Sequence, residues 1–229
     1  MENIKNCLYF NNCNIHSHCN EDVCIKKYKL DCLYELANLP CKQKNPIVLY
    51  LDKDGSDKNA YIRLREIQNN INDFINKGCN LYIYSKNCGN GKTSWAIKLI
   101  QSYFINNWPT LSITSNTSAL FISVPRFLQL SKENIKNDNA EFQYINNNVL
   151  NANLVVFDDI GTKEGTDFEK SYLYSYIDTR LNRGKSNIFT SNLSKEELEN
   201  FLGERLCSRI YNSSECIELI GSDKRNISI

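Results

Sequence analysis

The stretch Ser85-Lys86-Asn87-Cys88-Gly89-Asn90-Gly91-Lys92-Thr93 carries the strongest chemical signal in the chain. Gly89 and Gly91 let the backbone approach an anion closely. The N–H groups of such a loop, opening into a helix, form a concave donor surface for phosphate. Lys92 supplies a positive charge for the β- and γ-phosphates, and Thr93 offers a hydroxyl to Mg²⁺. Asn90 and Ser94 belong to the same cofactor-facing stretch. Lys86 stands where the pattern GxxxxGK[ST] has its first glycine, so the backbone there must either avoid positive φ or bear its strain.

Two further motifs bear on the same chemistry. In Leu154-Val155-Val156-Phe157-Asp158-Asp159-Ile160-Gly161 an apolar run ends in two acids. Placed at the carboxyl edge of a sheet, Asp158 would hold the Mg²⁺ shell, and Asp159 would orient or deprotonate an attacking water. Thr190-Ser191-Asn192 ends another apolar run. Asn192 there can reach a γ-phosphate or the water, although Asn is equally at home in a plain strand-exit turn.

The cysteines point to a different chemistry. Six of the ten fall in the first 41 residues, at 7, 13, 19, 24, 32 and 41. The first twenty residues show no apolar secretory core, so the expected compartment is the reducing cytoplasm, where clustered Cys beside His reads as a metal site. Four thiolates, Cys7, Cys13, Cys19 and Cys24, would close a structural zinc site, with His16, His18 and Cys32 as competing ligands. Reduced, buried thiols are the plain alternative. The absence of arginine before Arg63 counts against a zinc knuckle that grips DNA directly.

These groups need a scaffold. Tyr61, Leu64, Ile67, Ile71, Phe74 and Ile75 have the spacing of one helix, stopped at Lys77-Gly78. Asn80–Tyr84, Ala119–Val124, Asn153–Phe157, Asn187–Ser191 and Cys216–Ile220 read as strands. Helices are expected from about Lys92 to Ile105, after Pro125, over Asp167–Arg183, after a capping box of Ser194 with Glu197, and over Glu204–Tyr211. Apolar strands alternating with helices predict an α/β fold, a parallel sheet flanked by helices. The division expected is a small Cys-rich module over 1–57 and one larger domain over 58–229.

Composition sets limits. At 41% hydrophobic and 23% charged residues, the chain can bury a core. A net charge of +1 excludes attachment to nucleic acid by bulk charge, though not by a local groove. No run of apolar residues is long enough for a membrane span.

Taken together, GNGKT, VVFDDIG, IFTSNLS and GERLCSR resemble the AAA+ ATPases of the DnaC/DnaI type, the bacterial and phage loaders of replicative helicases. The likeness covers roughly residues 60–229, and the front end CLYFNNCNIHSHCNEDVC looks like the zinc-binding module of phage and Gram-positive loaders. The resemblance implies ATP, Mg²⁺ and Zn²⁺ as cofactors. It implies ATP hydrolysis in the service of placing a hexameric replicative helicase on single-stranded DNA. By position it makes Lys92 and Thr93 the Walker A residues, Asp158 and Asp159 Walker B, and Asn192 sensor 1. Arg209 then matches an arginine finger acting on a neighbouring subunit, with Arg205 as the rival, and Arg225 matches sensor 2. Thr166 and Phe168 match positions that contact single-stranded DNA, unless Phe168 is simply a core residue of its helix. A transposition helper ATPase of the IstB type and a non-catalytic nucleotide-binding adapter are the alternative functions, the second motivated by Lys86.

Overall fold

In the computed structural model, residues 24–40, 47–51, 55–114, 116–134, 137–161 and 166–224 are described. The elements in chain order are α1 (Ile25–Leu36), α2 (Lys58–Asn69), α3 (Ile71–Asn76), β1 (Asn80–Tyr84), α4 (Lys92–Asn107), β2 (Ala119–Ser123), α5 (Val124–Asn134), α6 (Ala140–Val149), β3 (Leu154–Asp158), α7 (Asp167–Asn182), β4 (Ser186–Ser191), α8 (Lys195–Leu202), α9 (Glu204–Ser213) and β5 (Ser214–Glu218).

Strands β1 to β4 are buried on both faces because both faces are covered, whereas the edge strand β5 buries only Ile217. On β1, Leu81 and Ile83 enter one cluster and Tyr82 the other; on β3, Leu154 and Val156 part from Val155 and Phe157 in the same way. The first cluster includes side chains of α1, α2, α3 and α4, and the second those of α5, α6, α7, α8 and α9. The five strands are all parallel, in the order β2-β3-β4-β1-β5. Parallel pairing brings every carboxyl end to one rim. The order sets the exit of β4 between those of β1 and β3, which are the exits carrying the three motifs.

The opposite rim is tied by polar groups. Arg180 of α7 is fully buried. Its guanidinium donates to the carbonyls of Val149, Ala152 and Ser186 and to Asn187 Oδ1. Asn187 in turn donates to Asn80 Oδ1 through both its backbone N–H and its side chain. Burial lowers the Arg180 pKa to about 9, which still lies above neutral pH, so the guanidinium that makes these four bonds remains a cation there. The starts of β1, β3 and β4 are thereby joined through one network.

The structure departs from the expected elements in four places. The helix expected across 61–75 is two, α2 and α3, because Asn70 turns its side chain back onto the Glu66 carbonyl at 2.9 Å and leaves helical geometry (φ −111°, ψ 30°). Strand β5 begins and ends two residues earlier than expected. Helix α6 was not anticipated: Asn146, Asn147 and Asn148 are poor helix formers and mask the spacing of Phe142, Ile145 and Val149. Helix α1 was not anticipated either. It falls within the 1–57 segment, yet Leu30, Leu33 and Tyr34 are completely buried in the cluster shared with α4 and the sheet. The chain just after α1 is fastened to β2, with Phe121 N–H donating to the Ala37 carbonyl at 2.8 Å. No helix among the described residues is long and apolar enough to cross a membrane.

Candidate active site

The loop after β1 turns twice through left-handed backbone, at Gly89 (φ 75°) and Gly91 (φ 105°), and Gly91 caps the start of α4. Only glycine tolerates such angles without strain. Gly89 is also crowded: a Cβ there would lie 2.0 Å from Oδ1 of Asp223. Lys86, where the motif has a glycine, is absent from the non-glycine residues of positive φ, so its side chain brings no backbone strain.

Lys92 is nearly buried, and its ammonium donates to the Asn87 carbonyl at 2.9 Å and to Asn90 Oδ1 at 3.3 Å. The Asn90 amide donates to Ser85 Oγ and to the Leu219 carbonyl, so this side chain braces the loop. Further polar contacts fix the chain that follows β5 against the loop. Asn87 donates to the carbonyls of Ile220 and Gly221. Lys224 N–H donates to the Gly89 carbonyl at 3.0 Å. Asp57, buried ahead of α2, accepts the N–H groups of Ile220 at 2.7 Å and Gly221 at 3.1 Å. Asp57 and the 219–224 strap were not legible as site residues. Isolated polar residues carry no spacing signal, and these act from positions far apart in the chain.

At the end of β3, Asp158 is buried, accepts a hydrogen bond from the Thr190 hydroxyl at 2.6 Å, and has the Thr93 hydroxyl as a further partner. Burial pushes its carboxyl up to about 6, against the lowering hydrogen bond from Thr190. Asp159 takes a left-handed backbone (φ 58°), and its N–H donates to Thr190 Oγ1 at 2.9 Å. Gly89, Asn90, Gly91, Lys92, Thr93, Ser94, Asp159 and Asn192 line one cavity of about 340 Å³. Its donors suit a polyphosphate: loop amides, an ammonium and hydroxyls. Thr93 and Asp158 are hard oxygen ligands of the kind Mg²⁺ takes.

The remaining predicted site residues lie elsewhere. Arg209 and Arg205 are on α9, and neither is among the residues that line the cavity. Arg209 Nε is 3.1 Å from Asp178 Oδ1 on α7, and the Arg205 guanidinium lies 4.5 Å above the Tyr174 ring. Thr166 is exposed just before α7. Phe168 is 51% exposed and stacks on Tyr172 with ring centroids 5.7 Å apart, so it is not a core residue of its helix. Arg225, Cys7, Cys13, Cys19, His16 and His18 lie outside the described residues. Cys24 is described: its sulfur accepts the Lys27 N–H at 3.4 Å as the cap of α1. Cys32 is half-buried and lies on α1. Among the described residues no group of three or more His, Cys, Asp or Glu is placed to hold a metal ion.

The chain is similar to replicative helicase loaders. The loader DnaC of Buchnera aphidicola subsp. Baizongia pistaciae is 28% identical over 162 residues, 70% of this chain and 60% of that protein. A crystal structure of the DnaC helicase loader superposes with a TM-score of 0.59 and 23% identity, covering 74% of this chain and 93% of that one. The replication initiator DnaA bound to AMPPCP and single-stranded DNA superposes with a TM-score of 0.58 and 18% identity, covering 74% of this chain and 48% of that one. No protein-family model matches. The chain spans about half the length of the curated relatives it matches, from 49% to 60%. The five-stranded parallel sheet flanked by helices matches the fold of these structures.

Proposed function

We propose that this protein hydrolyses ATP and uses it to load a replicative helicase onto single-stranded DNA. The observation that carries the reading is the single cavity walled by Lys92, Thr93, Asp159 and Asn192, in a chain similar to DnaC. Bound ATP·Mg²⁺ would supply the transferable phosphoryl group and the cation that offsets its charge. The chain's own groups have distinct tasks. Amides around Gly89 and Gly91 face the phosphates, and Lys92 exchanges its bonds to Asn87 and Asn90 for phosphate oxygens. Thr93 and Asp158 hold the cation. Asp159 orients the water and Asn192 the γ-phosphate side of the cavity.

Arg209 is the group proposed to complete the site of a neighbouring subunit, with Arg205 four residues away as the alternative. Either must leave its partner within the chain, Asp178 or Tyr174, to do so. Exposed Phe168, with Thr166 beside it, is the proposed contact for single-stranded DNA, because an aromatic face stacks on any base. Arg225 is proposed to sense the nucleotide. Cys7, Cys13, Cys19 and Cys24 are proposed as the zinc ligands of a helicase-gripping front end. The backbone at Lys86 has no positive φ, which supports a loop competent for nucleotide; ATP turnover separates this reading from a non-catalytic adapter.

The test is co-purification with a hexameric replicative helicase, with and without ATP, alongside measured ATP turnover. Retention of the helicase and turnover abolished by Lys92→Ala are expected. No helicase retained under either condition would overturn the loading assignment.

A further inference from the structure

Thr190 is the fifth residue of β4 and completely buried, one step beyond the Phe157–Phe189 pair that ends the β3–β4 register. Its hydroxyl makes two bonds of opposite sense, donating to Asp158 Oδ1 at 2.6 Å and accepting the Asp159 N–H at 2.9 Å. Its carbonyl accepts the Ile160 N–H at 2.9 Å. The next residue, Ser191, donates its hydroxyl to the Ile160 carbonyl at 2.7 Å. Four bonds thus sew the turn after β3 onto the end of β4.

The turn needs this support. Successive side chains of a strand point to opposite faces, so a simple extension of β3 would set the two carboxylates apart. Asp159 instead adopts φ 58°, a region that residues with a Cβ rarely enter, and Gly161 follows at φ 85°. With that geometry Asp159 lines the cavity while Asp158 stays in the buried wall beside Thr93.

We propose that Thr190 is a positioning residue that gives the two acids different tasks. Its proton fixes Asp158 in the wall, and its lone pair fixes the backbone turn that delivers Asp159 to the cavity. A hydroxyl has one proton, and that proton faces the carboxylate, so the amide must meet the lone pair. Valine has the same shape with neither function, whereas serine has both. The inference rests on the ATP-hydrolysing reading above.

Thr190→Val and Thr190→Ser separate positioning from mere burial. Three quantities are measured: amide hydrogen exchange at Asp159 and Ile160 without nucleotide, ATP affinity with Mg²⁺ and with chelator, and ATP turnover. In Thr190→Val the Asp159 amide should exchange at least about tenfold faster, and turnover should fall by about tenfold to a hundredfold. ATP affinity should weaken with Mg²⁺ present and hold within about twofold in chelator, while Thr190→Ser restores all three readings to within about threefold. The proposal is overturned if the valine variant matches the serine variant, or if affinity falls equally with and without Mg²⁺. If wild-type protein ignores ATP while the Asp159 amide is protected in wild type and serine and freed in valine, the positioning stands and the ATP reading fails.

Discussion

Asp158 shows what the site does to a single carboxylate before any cation arrives. It is nearly enclosed, and burial outweighs the hydrogen bonds from Thr190 and Thr93. Its folded pKa, about 6, lies above the ordinary 3.8. An acid raised in this way binds its proton more tightly folded than unfolded. The nucleotide-free protein therefore loses stability as pH rises from about 4 through about 6, and the penalty is complete above that. Asp158→Asn removes the penalty while keeping an acceptor for Thr190. It should melt higher than wild type at pH 8, by about 1–3 kcal/mol, and converge on wild type near pH 4. Denaturant titration at the two pH values checks this, and a variant equally or less stable at pH 8 would refute it.

At the scale of elements, α1 is the most informative. Leu30, Leu33, Tyr34 and Ala37 present one buried stripe to the cluster that also holds α4 and β1. Leu33→Ala should lower the stability of the whole fold by about 2–5 kcal/mol, as a cavity in a shared core does. Were α1 part of a separately folding front end, the main unfolding transition would not move in calorimetry. The same helix marks the limit of what the sequence reveals. Strands β1 and β3 and helices α4 and α7 were legible because their apolar runs are bounded by glycine, acids or asparagine. The stripe of α1 is equally regular but covers only about two turns, too short to stand out as a core face among the lysines and cysteines that flank it. Lys92, Thr93, Asp159 and Asn192 were legible as motif residues. The left-handed turn at Asp159 was not, because its support comes from a strand thirty-one residues onward in the chain.

At the scale of the whole molecule, Asp57 links places 163 residues apart in the chain. Its carboxylate holds the amides of Ile220 and Gly221, while the same strap holds Asn87, Asn90 and the Gly89 carbonyl of the loop after β1. Asp57→Ala leaves two amides without their acceptor, a loss of about 1–3 kcal/mol. Nucleotide affinity should drop several-fold as the backing of the loop loosens, and Asp57→Asn, which keeps an acceptor oxygen, should lose less. Unchanged affinity in the alanine variant, measured with a fluorescent ATP analogue, would show the strap to be passive. The buried guanidinium of Arg180 has a consequence of its own. It and Asn187 hold the three strand origins in common alignment, and each strand then runs about 16 Å to the working end. The foundation is laid at one pole so that the groups at the other keep their spacing, and a substitution at Arg180 would shift the gap between lysine and carboxylates from the end of the sheet farthest from them.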